Sequence, residues 1–303
     1  MKTRQIPGTG IEVSEICFGT MNFGTPVGES EAVRLMHYGL DKGINFIDTA
    51  NMYEGYTRRP GSPGGVSEEY VGKGMKGRRS SYIVATKVGM KVGDSPEDEY
   101  CSPAAVNKYL ERSLKLMQTD YIDIYYAHRF DPHTPPEELA GAMKKAMDEG
   151  KIRQYAVSNY TGEQLNALLD AADRSSLPRP VLCQPQLSLL RQDNLEDVIR
   201  VCAENNIGVV PYQVLQGGLL TGKYRKGHDI PEDSRKFENS GWVLDLSDEL
   251  FEKLDVIEAK AKAMHLSMTS YAIKWALSCP AVVSALVGFK KTGQIDDAVD
   301  AAF

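Results

Sequence analysis

The sequence has no surplus of positive charge, no paired-cysteine spacing and no long apolar run, and each absence removes a class of function. A formal net charge of −6 leaves no clustered excess of Lys and Arg for a phosphate backbone, which excludes nucleic acid as the expected partner. The five cysteines, Cys17, Cys101, Cys183, Cys202 and Cys279, show no CxxC spacing. They fit scattered reduced thiols, most of them small buried hydrophobes, and offer neither a disulfide framework nor a metal site. The opening MKTRQIPGTG contains no apolar run of the signal-peptide kind, and no stretch is long enough to span a bilayer. A cytoplasmic protein with no membrane association is therefore expected.

What is present is a chain able to bury a large core. It has 303 residues, 42% hydrophobic and 25% charged, and needs no disulfide or metal to fold. Short β-rich runs alternate with helix-period segments: 15–20, 44–50, 81–87, 121–127, 152–158, 181–186, 207–212 and 282–288. They are near-continuously apolar, as parallel strands buried on both faces are. Eight strand-helix units in this length make a closed (β/α)8 TIM barrel the expected fold, with an open doubly wound sheet as runner-up. The head TRQIPGTGIEV reads as an N-terminal β-hairpin before the first barrel strand, and 1–303 as a single domain. A long insert, 213–281, carries a loop around Gly227 to Trp242 and helical periodicity from 248 to 279.

Local signals punctuate the helices. Ser102-Pro103 reads as an N-cap followed by proline at the first helical position, with Val106, Leu110, Leu114 and Met117 on one face. Thr134 to Glu137 and Thr161 to Gln164 have capping-box spacing, and Gly43 and Gly150 are placed to end helices. Two phosphate motifs are decoys. The G-x-G-x-x-G at 72–77 ends a predicted helix and precedes a strand, the reverse of the dinucleotide fingerprint. Gly217 to Lys223 satisfies the glycine-lysine part of a P-loop, but Tyr224 stands where Ser or Thr must ligate magnesium. This turn is kept as a contact for a cofactor phosphate.

Active sites of such barrels lie at the carboxyl ends of the strands. The second run ends on Asp48 and continues to Tyr53, the third ends on Lys87, and the fourth leads to His128. A free phenol has a pKa of about 10, and an adjacent ammonium lowers it. Lys87 is expected to do this, with Asp48 neutralising and orienting the lysine. Tyr53 can then protonate an alkoxide forming on a carbonyl that receives hydride, with His128 hydrogen-bonding the same oxygen. Each residue alone has an ordinary structural explanation; four complementary types at successive strand ends do not share one.

The chain resembles an aldo-keto reductase over essentially its whole length. FIDTANMY carries the aspartate and tyrosine, ATK the lysine and YYAH the histidine. VSNY at 157–160, Gln184, PYQVLQGGLLTGKY at 211–224 and VGFKKTGQIDD at 287–297 follow in the family's order. The resemblance implies a (β/α)8 barrel closed by a hairpin and metal-free, NADP(H)-dependent reduction of aldehydes and ketones. It places Thr20, Met21 and Asp48 beside the nicotinamide, Ser158, Asn159 and Gln184 on its carboxamide, and Tyr212 on its ring. Gln213, Leu215, Gly217, Gly218, Leu220 and Lys223 would wrap the pyrophosphate. Gly288, Phe289, Lys290, Lys291, Thr292 and Gln294 would meet the adenosine phosphate end, where a turn with free amides and two lysines favours NADP over NAD. Departures from the family pattern are Gln213-Val214 for Ser-Pro, Leu187 for tyrosine and Ala298 for asparagine. The sequence given stops at Phe303, so a very short substrate-covering tail and an open pocket are expected.

The substrate side is a small carbonyl compound, with a polar, sugar-derived aldehyde as the working guess. Met21, Phe23, Tyr56, Phe130 and Trp242 are candidates for an apolar wall, Arg129 adjoins His128, and Arg58 and Arg59 are candidates to meet an anion. Two rival readings stand beside the reductase. One is a nicotinamide-binding regulatory subunit like the potassium-channel β subunits, and the other a phosphate-binding isomerase barrel with Lys87 as Schiff-base lysine. The oligomeric state stays open.

Overall fold

The structure, a computed structural model, describes residues 1–59, 61–238, 241 and 243–302. The head forms the expected hairpin, β1 (Thr3–Gln5) against β2 (Glu12–Ser14), antiparallel. Eight parallel strands follow: β3 (Ile16–Gly19), β4 (Phe46–Asp48), β5 (Ile83–Val88), β6 (Ile122–Ala127), β7 (Ile152–Ser158), β8 (Leu182–Gln184), β9 (Gly208–Val209) and β10 (Ala285–Gly288). Each falls inside one of the apolar runs, except that β5 extends one residue past its run, to Val88.

The sheet curls until its two ends meet, which settles the choice against an open sheet. Val209 N donates to Ala281 O at 2.8 Å, Val283 N to Val209 O at 2.9 Å and Leu286 N to Pro211 O at 3.1 Å. Alternation along each strand then separates two cores. Cys17, Phe46, Ala85, Ile124, Tyr126, Ala156, Leu182 and Val210 fill the lumen, and Ile6 and Val13 from the hairpin plug its lower end. The outward residues pack under helices α1 (Glu29–Asp41), α2 (Val66–Met75), α3 (Pro103–Met117), α4 (Pro136–Asp148), α5 (Gly162–Arg174) and α6 (Val198–Glu204).

The caps behave as their residues dictate, with one exception. Ser102 accepts from Ala105 N at 3.2 Å, and Thr161 and Gln164 form a reciprocal capping box. Thr134 does not cap α4; its hydroxyl donates to Asp131 at 2.6 Å, and the helix starts at Pro136. Pro135 and Pro136 follow directly and carry no N–H for the Thr134 hydroxyl to accept from. Gly72 has a packing reason instead of a phosphate one: a Cβ there would stand 2.7 Å from the Met117 backbone, so its absence lets α2 lie against α3.

The insert after β9 holds a 3-10 turn (Gln216–Thr221), a short helix α7 (Arg235–Glu238), α8 (Asp248–Ala263) and α9 (Met268–Ser278). Sequence periodicity ran through 264–267, where the chain breaks at His265 with φ of 58° and restarts on the Ser267 cap. The final helix is α10 (Thr292–Ala301).

Candidate active site

Period-two alternation explains why the four predicted residues meet. Phe46 and Asp48 on β4, Ala85 and Lys87 on β5, and Ile124 and Tyr126 on β6 all point into the lumen, and His128 continues the last series. Polar side chains occupy the final inward positions of these three strands, directly above an apolar lumen.

Lys87 is fully buried. Its ammonium pairs with Asp48 Oδ1, donates to Thr49 O at 2.8 Å and lies 3.5 Å from the Tyr53 hydroxyl. Gln184 Nε2 donates to the other carboxylate oxygen at 2.8 Å, so both oxygens of Asp48 are satisfied. Burial works against the Lys87 charge, but Asp48 and Tyr53 outweigh it and hold its pKa above the ordinary lysine value. Behind the pair runs a chain of buried hydroxyls: Thr49 to Ser67 at 2.9 Å, Ser67 to Thr20 at 2.7 Å and Thr20 to Asp48 O at 2.9 Å. Thr20, expected beside the nicotinamide, is thus consumed in tying β3 to β4.

Tyr53 differs from expectation in the sign of its shift. Burial raises its pKa by more than Lys87 lowers it, so the phenol is held in its acid form. The His128 ring meets the Tyr53 ring edge-on at 5.8 Å. Burial, then Lys87 and Arg129, push the His128 pKa well below the ordinary value, so the imidazole is neutral. Its Nδ1 is buried without a partner. An orphaned lone pair costs less than an orphaned N–H, which selects the tautomer with the proton on Nε2.

A second cluster flanks the first. Ser158 Oγ donates to Gln184 O at 2.8 Å, Asn159 Nδ2 to His128 O at 2.8 Å, and the Tyr212 hydroxyl to Asn159 Oδ1 at 2.8 Å. The predicted carboxamide residues and the predicted stacking tyrosine are therefore neighbours. Met21 is half-buried at the end of β3.

The residues expected at the phosphate end are the turn at Gly217 and Gly218 with segment 233–238 tied to Lys290 and Lys291, which we call the trough and its strap. Gly217 and Gly218 take φ of 63° and 92°, and a Cβ on Gly218 would stand 3.0 Å from Lys223. Across from them Lys290 pairs with Glu238 at 2.8 Å and Lys291 with Asp233 at 2.8 Å. Burial and the two neighbouring lysines push the Lys223 pKa down. Arg235, 8% exposed, lies 3.4 Å over the Tyr56 ring and has a buried Nη1 with no partner. Asn22 Oδ1 and Gln213 Oε1 are likewise buried and unpartnered. The glycine turn, the clustered cations and the unpaired Arg235 Nη1 fit phosphate groups, and the two amide oxygens, being acceptors, fit hydroxyl or amine donors of the same dinucleotide.

Several expected contacts fall elsewhere. Leu220 is buried in the apolar cluster under α8 and α9, and its N–H goes to Leu215 O at 3.2 Å. The Phe289 ring is core, 4.9 Å from Phe18, leaving only its backbone near the trough beside exposed Gly288 and half-buried Leu215. The amides of Lys290 and Lys291 are not free: Gln294 Oε1 accepts from them at 2.7 and 3.3 Å, capping α10 just before Thr292. On the substrate side Phe23 is fully buried and so forms no wall, while Phe130 is half-buried and packs edge-on against Tyr160 at 5.6 Å. Arg58 braces the loop by donating to Met52 O at 2.9 Å and to Lys91 O, while Arg59 is exposed. Trp242 lies outside the described residues.

Sequence reading missed Arg235, which lies over Tyr56, and Asp233 and Glu238, which meet Lys290 and Lys291 across more than fifty residues of chain. Their one local signal is alternating charge in DSRKFE, which carries no periodicity.

Comparison with known proteins bears on this geometry. The model described as "Aldo/keto reductase family" matches residues 15–303. The chain is 32% identical to "Aldo-keto reductase YhdN" of Bacillus subtilis, covering 98% of this chain and 87% of that protein. It is 31% identical to a "Probable voltage-gated potassium channel subunit beta" of Oryza sativa, covering 97% and 89%. It is 29% identical to an "L-glyceraldehyde 3-phosphate reductase" of Escherichia coli O157:H7, covering 99% and 87%.

Proposed function

The chain belongs to the aldo/keto reductase family, and from that premise we propose that it is an NADP-dependent reductase of aldehydes or ketones acting through Tyr53. The carrying observation is one buried ammonium, Lys87, shared between Asp48 and the Tyr53 hydroxyl beside a neutral His128. Bound NADPH supplies the hydride. The chain's own groups do the rest.

Tyr53, kept protonated by burial, gives its proton to the carbonyl oxygen as charge builds there. The phenolate left behind lies beside Lys87, whose positive charge Asp48 keeps in place. His128 Nε2–H hydrogen-bonds the same oxygen and fixes its position. Ser158, Asn159 and Gln184 would hold the carboxamide of the cofactor and Tyr212 would lie beside its ring. Lys223, Arg235, Lys290 and Lys291 would hold its phosphates. The charged Lys87 also counts against the Schiff-base isomerase, because an amine must lose its proton to attack a carbonyl.

A second reading, a nicotinamide-binding regulatory subunit, is favoured by relatives that bear the channel-subunit name in Oryza sativa and Arabidopsis thaliana. One experiment separates the two. NADPH consumption is followed against small aldehydes, sugar aldehydes and quinones for the parent and Tyr53→Phe. Turnover that depends on Tyr53 supports the reductase; retained NADPH with no turnover above the mutant's background supports the subunit.

A further inference from the structure

Of the arginines placed near the mouth, Arg58, Arg191 and Arg235 have structural surroundings that account for them, and Arg59 is simply exposed. Arg58 spans two loops through the carbonyls of Met52 and Lys91. Arg191 bonds the Gln186 side chain at 2.9 Å. Arg235 belongs to the trough. Arg129 is different.

Arg129 directly follows His128 at the end of β6, close enough for its charge to act on the imidazole. Its guanidinium stacks over the Tyr100 ring at 4.8 Å and pairs with Glu99 through Nη2 alone. Among the described residues no other acceptor meets it, and its Nε is buried without a partner. A guanidinium carries five donors in a rigid fork, so most of this one is unused. The side chain is 31% exposed, so although Nε is buried the guanidinium as a whole is not closed off from solvent. Tyr100, the platform beneath it, holds a φ of 70°, rare for a bulky residue, and its ring is fixed edge-on by His133 at 4.7 Å. A strained platform and a rigid fork with spare donors make a preorganised oxyanion contact beside the reacting carbonyl.

We propose that Arg129 is a specificity-determining residue that binds an oxyanion, carboxylate or phosphate, carried by the substrate a few atoms from its carbonyl. Resting on the reductase reading, this narrows the substrate class to anionic aldehydes and ketones. Glu99 tunes the contact: it holds the fork in place and lowers its net charge, so a singly charged partner must compete with it.

The test compares kcat/KM of the NADPH-loaded protein for two matched pairs, glyceraldehyde 3-phosphate against glyceraldehyde and succinic semialdehyde against butanal. The anionic member of at least one pair is expected to be preferred by about tenfold or more, as one charge-assisted contact allows. Which pair shows the preference distinguishes phosphate from carboxylate. Arg129→Met should bring that ratio to near one, Arg129→Lys should retain part of it, and Glu99→Gln should increase it. The ratio is unaffected by any general loss of activity. Should Arg129→Met fail to fold, the increase with Glu99→Gln carries the test.

Equal kcat/KM within both pairs for the parent, or a preference that survives Arg129→Met, overturns the subsite while leaving the reductase reading intact. If no aldehyde is reduced, the reductase reading fails. Calorimetric binding of glycerol 3-phosphate and 4-hydroxybutyrate to the NADP-loaded protein then decides the subsite: binding that needs Arg129 supports it, and no binding overturns it.

Discussion

The wall that carries Asp48, Lys87 and Gln184 and the trough beneath the strap are both polar, yet they are built in opposite ways. In the wall the buried groups satisfy one another: Asp48 receives donors on both oxygens, and Lys87 spends its protons on Asp48, Thr49 and Tyr53. In the trough Arg235 Nη1, Gln213 Oε1 and Asn22 Oδ1 are buried with nothing to bond, and three lysines sit close together. Asp48, Lys87 and Gln184 pair with one another without a ligand, with His128 Nδ1 and the Tyr126 hydroxyl beside them left over; the three trough atoms have no such mutual pairing. Catalytic geometry is therefore preorganised by folding, whereas the trough's stability depends on what binds it.

The sharpest way to break the comparison is Tyr53→Phe. It removes the acid and, of the wall, only the 3.5 Å contact to Lys87, so turnover should fall about 10²–10⁴-fold with cofactor affinity unchanged; a matching loss of affinity would mean the two regions are not separable. Lys87→Met should cost about 3–5 kcal/mol in chemical denaturation, because it leaves the Asp48 carboxylate buried and unpaired. Asp233→Asn should instead leave stability without cofactor within about 1 kcal/mol, since it breaks one exposed ion pair. Its effect should appear in faster cofactor release by stopped flow, and unchanged release would remove the strap from the account.

The smallest effect is a pH dependence. His128 is held neutral, its folded pKa well below the ordinary value of 6.5. Below that value the unfolded chain binds the proton more readily than the folded one. Stability is thus kept above pH 6.5 and declines as pH falls toward the folded pKa. Denaturation measured across that acid range should show a shallower loss for His128→Asn than for the parent; identical slopes would place the acid sensitivity elsewhere.

How much was legible in the sequence follows from the range of the signals. All eight barrel strands were readable because a buried parallel strand leaves a continuous apolar run, and the tetrad was readable because each member stands next to such a run. The contacts of Leu220 and Phe289 were misplaced because family motif and core packing use the same residue types. The strap was unreadable, because Asp233 and Glu238 gain meaning only against Lys290 and Lys291.

By itself the sequence determined what short-range physics can encode: the order of strands and helices, the hairpin, the caps at Ser102 and Thr161, and which polar side chains end which strands. Only the tertiary structure decided closure of the barrel, the sign of the Tyr53 shift and the freedom of the Arg129 fork. Each of those depends on burial and on partners distant in the chain, and burial is a property of the packed molecule.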